Sequence, residues 1–365
     1  MPHRNLKTFK RSGSGKVRVG IVGIGYLGRF HVEKYAVIPE AQIVGLVDLI
    51  PQRAKEWAEK ARTEAFSSHR ALLGKVDAVS VVVPTNQHYP IARDFLEAGC
   101  DVLVEKPITT TLQEAEDLIR LARKKGRILQ VGHVERFNPA VLAAREKVNA
   151  PIFIESHRLT PFRGRGTEVD VVLDLMIHDL DLILSFVRSS ARSIHAVGIP
   201  VLSEKVDIAN TRVEFEGGCV ANITASRISF EDRRRIRIFQ PDTYLTLDYG
   251  SKEITLYHRT FSPENQRFQI SAEQIEVEPG DALEKEIRAF VHSSLTRMPP
   301  AVSGEDGRNA LDMAMRISKQ IQENIRKIPS IAAFYGVKYG LADPLVRGTP
   351  EKRKTRPWPR GKKTS

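Results

Sequence analysis

The chain has 365 residues, 41% of them hydrophobic and 27% charged, with a formal net charge of +12. Its length predicts two domains, and no apolar run approaches the ~18 residues of a membrane-spanning helix, so the composition is that of a soluble globular protein. The charge argues against a specific nucleic-acid binder once located: residues 1–18 hold six Lys/Arg and no acid, residues 346–365 hold eight and one acid, and the +6 and +7 leave −1 for the body.

Taken in chain order, "MPHRNLKTFKRSGSGK" (1–16) is basic and lacks the apolar core of an export signal, which predicts a cytoplasmic protein with a disordered tail. Residues 331–365 read as a C-terminal segment with a second basic disordered tail. Cys100 and Cys219 have no paired metal or redox spacing and read as buried reduced thiols. From Lys16 onward, five apolar runs alternate with stretches of helix composition: "VRVGIVGIG", "AQIVGLVD", "DAVSVVVP", "DVLVEKP" and "RILQVGH". Continuous Val/Ile-rich strands separated by helices predict a doubly wound parallel sheet over residues 17–134, within an α/β class.

The first run enters a G-x-G-x-x-G turn, Gly23, Gly25 and Gly28, with Tyr26 and Leu27 inside it. There Gly23 permits the tight turn, Gly25 lets a pyrophosphate reach the backbone, and Gly28 lets helix and strand approach. Asp48 ends the second strand, where a carboxylate accepts both ribose hydroxyls of an adenosine. It would repel a 2′-phosphate, which favours NAD over NADP, although Arg53 lies nearby. Thr85, Asn86 and His88 follow the next strand at the edge where such sheets bind ligands; a helix-capping turn would look the same. Glu105 and Lys106 end the following strand, Pro107 stops it, and Thr111 with Glu114 forms a capping box for the next helix.

Beyond residue 134 the alternation stops, and residues 135–330 read as an α+β domain with a mainly antiparallel open sheet. In residues 207–227, Ala209, Thr211, Val213 and Phe215, then Cys219, Ala221, Ile223 and Ala225, share one face around an "EGG" turn, the pattern of a hairpin. "PGDALEKEIRAFVHSS" opens with a capping box, Asp281 to Glu284, and carries Leu283, Ile287 and Phe290 on one stripe; a last helix is expected from about Gly304 to Asn324. Within "VVLDLMIHDLDLILSF", Asp174, His178 and Asp181 fall at i, i+4 and i+7 on an otherwise apolar helix, where charged groups need partners.

The Gly-rich turn with His31, Thr85-Asn86-x-His88, Glu105-Lys106-Pro107 and the helix of Asp174, His178 and Asp181 together resemble the Gfo/Idh/MocA family of NAD(P)-dependent sugar and polyol oxidoreductases, over about residues 17–330. The resemblance implies a Rossmann NAD domain, a substrate domain, and homo-oligomers through the open face of the second sheet. It makes Lys106 and His178 the groups that accept the hydroxyl proton and stabilise developing alkoxide charge, with Asp174 orienting the imidazole or binding a neighbouring hydroxyl, and it places Glu105 beside the cofactor. Met176 stands where the family usually has Gly, which would narrow the space beside the sugar. "VGHVERFNPA" is similar to bacterial members that oxidise C3 of UDP-N-acetylglucosamine on the way to a diamino sugar of lipid A. For such a nucleotide sugar, Arg136, Asn138, Arg158, Arg163 and Arg165 are candidate diphosphate ligands, since arginine can bind two phosphate oxygens at once; a solvated basic loop is the other reading. A free polyol such as inositol, or a cofactor-binding regulator without turnover, remain as alternative functions.

Overall fold

The computed structural model describes residues 15–163, 166–264 and 266–327; nearly all of both basic tails lies outside this set, as does Arg165. The described residues up to Ile321 form one compact unit. The expected alternation runs through β1 (Val17–Val22), α1 (Gly28–Ala36), β2 (Ala41–Val47), α2 (Pro51–Ala61), β3 (Glu64–Phe66), β4 (Ala78–Val81), α3 (His88–Glu97), β5 (Asp101–Glu105), α4 (Leu112–Lys125) and β6 (Leu129–Gly132). These strands form one parallel sheet in the order β3-β2-β1-β4-β5-β6. Six strands stand where five were expected, because the three-residue β3 is too short and too exposed to show as an apolar run. The order reverses between β1 and β4, and that reversal opens a crevice at their carboxyl ends.

Alternate strand residues feed two cores, one on each face of the sheet. Val79, Val81, Val102 and Val104 pack with Phe95 and Leu96 of α3 and Ala115 and Leu118 of α4. Val19, Ile21 and Leu103 pack with Val32 and Tyr35 of α1. Burying one such Val, Leu or Phe contributes about 1.5–3 kcal/mol. The capping box of α4 forms in both directions: Glu114 N–H donates to Thr111 Oγ1 (3.3 Å), and Thr111 N–H donates to Glu114 Oε2 (3.1 Å).

After α5 (Pro139–Arg145) come β7 (Phe153–Leu159), α6 (Ile177–Val187), β8 (Ala191–Ile199), β9 (Ile208–Phe215), β10 (Val220–Ser226), β11 (Arg233–Phe239), β12 (Thr243–Asp248), β13 (Glu253–Ser262) and β14 (Arg267–Ile275). They form an eight-stranded sheet, β14-β13-β12-β11-β7-β10-β9-β8, antiparallel except where β7 lies beside β10. The hairpin is β9–β10, with its expected face buried.

Two helices that the sequence reading places with the second domain return to the first sheet. Ile287, Phe290 and Val291 of α7 (Ala282–Thr296) join the core around β1 and α1. At the start of α8 (Gly304–Lys327), a Cβ on Gly307 would stand 2.6 Å from Val131 of β6, so only glycine allows this approach. Asp281 caps α7 through Glu284 N–H (2.8 Å), but the return arm of the expected box is absent, because the Glu284 carboxylate accepts from Arg288 (2.9 Å) instead. Among the described residues no helix is long and apolar enough to cross a membrane.

Candidate active site

At the end of β1, Gly23 has a φ of +92° and its missing Cβ would strike the Val82 carbonyl; that of Gly28 would strike the Gly23 carbonyl. The third glycine thus closes the turn on itself. Nothing stands within 4 Å of a Cβ built on Gly25, so this turn meets open space there, while Tyr26 and Leu27 are exposed. Asp48 is buried; its oxygens accept from Ile24 N–H (2.8 Å) and Ile50 N–H (2.8 Å), and Arg53 Nη1 stands 3.4 Å away. Each carboxylate oxygen has two acceptor positions, so one bond from the turn leaves room for a hydroxyl. The turn, the open space and the carboxylate fit a dinucleotide.

Thr85 and Asn86 lie in a short 3₁₀ turn that leads into α3. His88 does not reach the cleft: its ring is buried, with Nδ1 2.8 Å from the Pro107 carbonyl and Nε2 2.9 Å from that of Val83. Two carbonyls favour an imidazolium, but burial outweighs them and lowers the pKa. His88 therefore ties the β4–α3 turn to Pro107, whose peptide bond to Lys106 is cis.

A cavity of about 420 Å³ opens beside this edge, lined by Leu27, His31, Glu105, Lys106, Asp174 and His178, and also by Glu135, Arg158, Thr160 and Arg234. Glu105 is held by His31 Nε2 (3.1 Å) and Lys106 N–H (3.2 Å). Burial would raise its pKa, but the His31 bond and the Lys106 charge outweigh burial and the value falls below that of an ordinary carboxylate. Lys106 Nζ donates to the Asp174 carbonyl (2.7 Å) and lies 3.9 Å from its Oδ1. Burial lowers the Lys106 pKa despite Asp174 and Glu105, and raises that of Asp174 despite Lys106 and Arg227.

Asp174 is not on the α-helix proper. Residues Val172–Met176 form a π-helical turn, and the α-helix starts at Ile177, so the inferred single face divides. Asp174 and His178 line the cavity, whereas Asp181 is buried and paired with Arg136. The imidazole of His178 is not held by Asp174: Nδ1 is buried without a hydrogen-bond partner among the described residues. Burial first, then Lys106, Arg158 and Arg234, pushes its pKa well below the ordinary imidazole value. The ring is neutral at pH 7 and able to take a proton. Met176 is fully buried and does not narrow the cavity; Leu175 lines it instead.

The expected diphosphate ligands separate. Arg136 grips Asp181 with two bonds (2.7 and 2.8 Å) and faces a different cleft of about 680 Å³, which holds neither Lys106 nor His178. Asn138 caps α5 and bonds Glu135 (3.2 Å). Arg158 is buried between Asp179 (2.7 Å) and Glu135 (3.0 Å). Arg163 pairs with Asp232 (2.9 Å). Two arginines were missed. Arg234, one of three consecutive arginines, is directed to the cavity by its register opposite Arg158. Arg227 is buried against Asp207 (2.8 Å) and binds the Val169 carbonyl (3.0 Å), securing the chain beside Asp174.

A family model described as "Oxidoreductase family, NAD-binding Rossmann fold" matches residues 17–133, and one for the "GFO/IDH/MocA C-terminal domain" matches residues 149–242. The chain is 36% identical over 312 residues, 85% of its length, to UDP-N-acetylglucosamine 3-dehydrogenase of Acidithiobacillus ferrooxidans, and covers 99% of that relative. The solved structure of that enzyme superposes with a TM-score of 0.79 over 84% of this chain and 98% of the other, at 37% identity. Myo-inositol 2-dehydrogenase of Thermotoga maritima is 25% identical over 84% of this chain and 97% of its own. A structure of Lactobacillus casei scyllo-inositol dehydrogenase with NAD(H) and scyllo-inositol, at 20% identity and a TM-score of 0.71 over 85% of this chain and 98% of the other, shares the fold.

Proposed function

Because this chain belongs to the Gfo/Idh/MocA family of NAD-dependent oxidoreductases, we propose that it oxidises a secondary hydroxyl of a nucleotide sugar, C3 of UDP-N-acetylglucosamine, to the ketone. The observation that carries this reading is the convergence of Lys106, Asp174 and His178 on one cavity beside the Gly-rich turn. NAD, when bound, would supply the hydride acceptor, and Asp48 favours it over NADP. Gly23, Gly25 and Gly28, with Tyr26 and Leu27, would hold its pyrophosphate, with Thr85 and Asn86 as further candidate contacts.

His178, neutral and desolvated, takes the proton of the substrate hydroxyl. Lys106 donates to the same oxygen and stabilises the charge that develops there. Asp174 fixes the Lys106 ammonium through its carbonyl, and its carboxylate is available to a neighbouring hydroxyl. Glu105, itself fixed by His31, holds the adjoining main chain. The product, a 3-keto nucleotide sugar, is a substrate for transamination to an amino sugar of the kind used in lipid A. Cys100 and Cys219 are buried and free, which supports a cytoplasmic setting. We further propose a homo-oligomer built through the open face of the second sheet.

The test is NADH formation from UDP-N-acetylglucosamine by the wild type, Lys106→Ala and His178→Ala, with NADH binding as the control for folding. A general base contributes typically ~10²–10⁴-fold, so each variant should bind cofactor and lose about that much turnover. Near-wild-type turnover in either removes that residue from the mechanism, and faster oxidation of free myo-inositol would favour the polyol reading.

A further inference from the structure

The cavity that holds Lys106 and His178 continues to an edge of the second sheet that no catalytic role uses. There the parallel strands β7 and β10 end side by side, with Leu159 opposite Ser226. The two loops that follow are joined: Thr160 N–H donates to the Ser226 carbonyl (2.8 Å), Ser229 N–H to the Thr160 carbonyl (3.1 Å), and Arg163 pairs with Asp232 (2.9 Å). Each loop carries one exposed phenylalanine beside that ion pair, Phe162 at 40% and Phe230 at 100% exposure. A side chain bare of cover on a loop held at this many points gains nothing from folding, which is a reason to ask what covers it.

The same edge presents an uncommitted cation. Arg158 and Arg234 are cross-strand neighbours on the covered face of β7 and β11, and both line the cavity. Arg158 is neutralised by two carboxylates at 2.7 and 3.0 Å. Among the described residues Arg234 has one ion-pair partner, Asp232 at 3.7 Å, and its side chain is 42% exposed. A diphosphate brought into this cleft would find Arg158 already paired and Arg234 available.

We infer that this edge is the nucleotide subsite of the enzyme, with Arg234 and the Thr160 hydroxyl holding a diphosphate and the rings of Phe162 and Phe230 covering a pyrimidine base. The inference rests on the nucleotide-sugar reading and adds the residues that select for the nucleotide. A free polyol would reach Lys106 and His178 without touching them. An arginine can bind two phosphate oxygens at once, and aromatic rings stack on any base, so the pair suits a nucleoside diphosphate better than an isolated phosphate.

The test is UDP binding by calorimetry, with NADH present, to the wild type, Arg234→Ala, Phe230→Ala and Phe162→Ala, together with KM and kcat for UDP-N-acetylglucosamine. NADH affinity reports that each variant is folded. Loss of the charge-assisted contact should weaken UDP by about tenfold to a hundredfold, and loss of a stacking ring by roughly tenfold. The effect should fall on KM more than on kcat. If the wild type oxidises UDP-N-acetylglucosamine and UDP binds all three variants unchanged, the subsite is overturned while the substrate reading stands. If UDP binding depends on Arg234 but UDP-N-acetylglucosamine is not oxidised, the subsite stands and the sugar is wrong. A Phe230→Ala variant that changes the oligomeric mass and leaves UDP affinity intact would make that ring an assembly contact and overturn its assignment here.

Discussion

At the scale of single residues, the proton-handling pair sets a pH dependence with a definite sign. His178 must be neutral to accept a proton and Lys106 must be charged to stabilise the oxyanion, so activity is lost when the first gains a proton or the second loses one. Burial displaces both downward from 6.5 and 10.5, and the acid limb of kcat/KM should therefore fall well below pH 6.5 and the alkaline limb below pH 10.5. In Lys106→Arg, whose guanidinium keeps its charge, the alkaline limb should disappear from whatever activity survives. A wild-type acid limb at or above pH 6.5 would contradict the neutral, desolvated imidazole. That Lys106 and His178 share one cavity was legible in the sequence because their neighbours, Glu105 and Pro107 in one case and Asp174 in the other, are themselves unusual where they stand. Arg234 was not legible. Its neighbours Arg233 and Arg235 are the same residue type; the alternation that buries Ile236 and Ile238 puts Arg234 on their side, and the pairing of β11 with β7 then sets it opposite Arg158 beside the cavity.

At the scale of elements, the buried ion pairs show what the arginine expectation left out. A sequence announces a cation but not the carboxylate that folding will bring to it. Arg158 binds Asp179 of α6 and Glu135 of the turn before α5, so it fastens both to β7. Burial alone would lower its pKa, but Asp179 and Glu135 more than reverse that, while burial raises the pKa of Asp179 despite Arg158. Arg158→Ala would leave Asp179, which is fully buried, without its counter-ion. Breaking a buried pair from one side costs about 3–5 kcal/mol, and a drop of that size in denaturant-induced unfolding free energy is expected. A loss below about 1 kcal/mol, the range of exposed pairs, would show that this one does not hold the elements together. The π-helical turn at Val172–Met176 was equally hidden. The spacing of Asp174, His178 and Asp181 suits one α-helix, and the π-helical turn that sets Asp174 apart from His178 and Asp181 is a backbone event without a residue signature.

At the scale of the molecule, the first sheet was legible almost strand by strand, because a parallel sheet buried on both faces needs continuous apolar runs. The second was legible only at its β9–β10 hairpin. Its other strands alternate polar and apolar residues, and the polar side faces outward, unpacked. That open face carries a ladder of rings across four neighbouring strands, Phe153 to Phe239 (5.6 Å), Phe239 to Tyr244 (5.2 Å) and Tyr244 stacked on Tyr257 (4.1 Å). Arg237 lies 5.0 Å from the Phe239 ring and pairs with Glu155 at 3.0 Å. Aromatic rings with an arginine are the composition of an interface core, and an eight-stranded sheet has the breadth for the ~1,200–2,000 Å² that a stable contact buries. Light scattering should therefore give at least twice the chain mass at micromolar concentration. Tyr244→Glu sets a charge into the ladder without touching the covered face of β12, where Leu245 and Leu247 are buried, so it should fold, bind NADH and shift toward the monomer. A wild type that stays monomeric, or a Tyr244→Glu variant of unchanged mass, would show that the second sheet keeps this face for something other than a copy of itself.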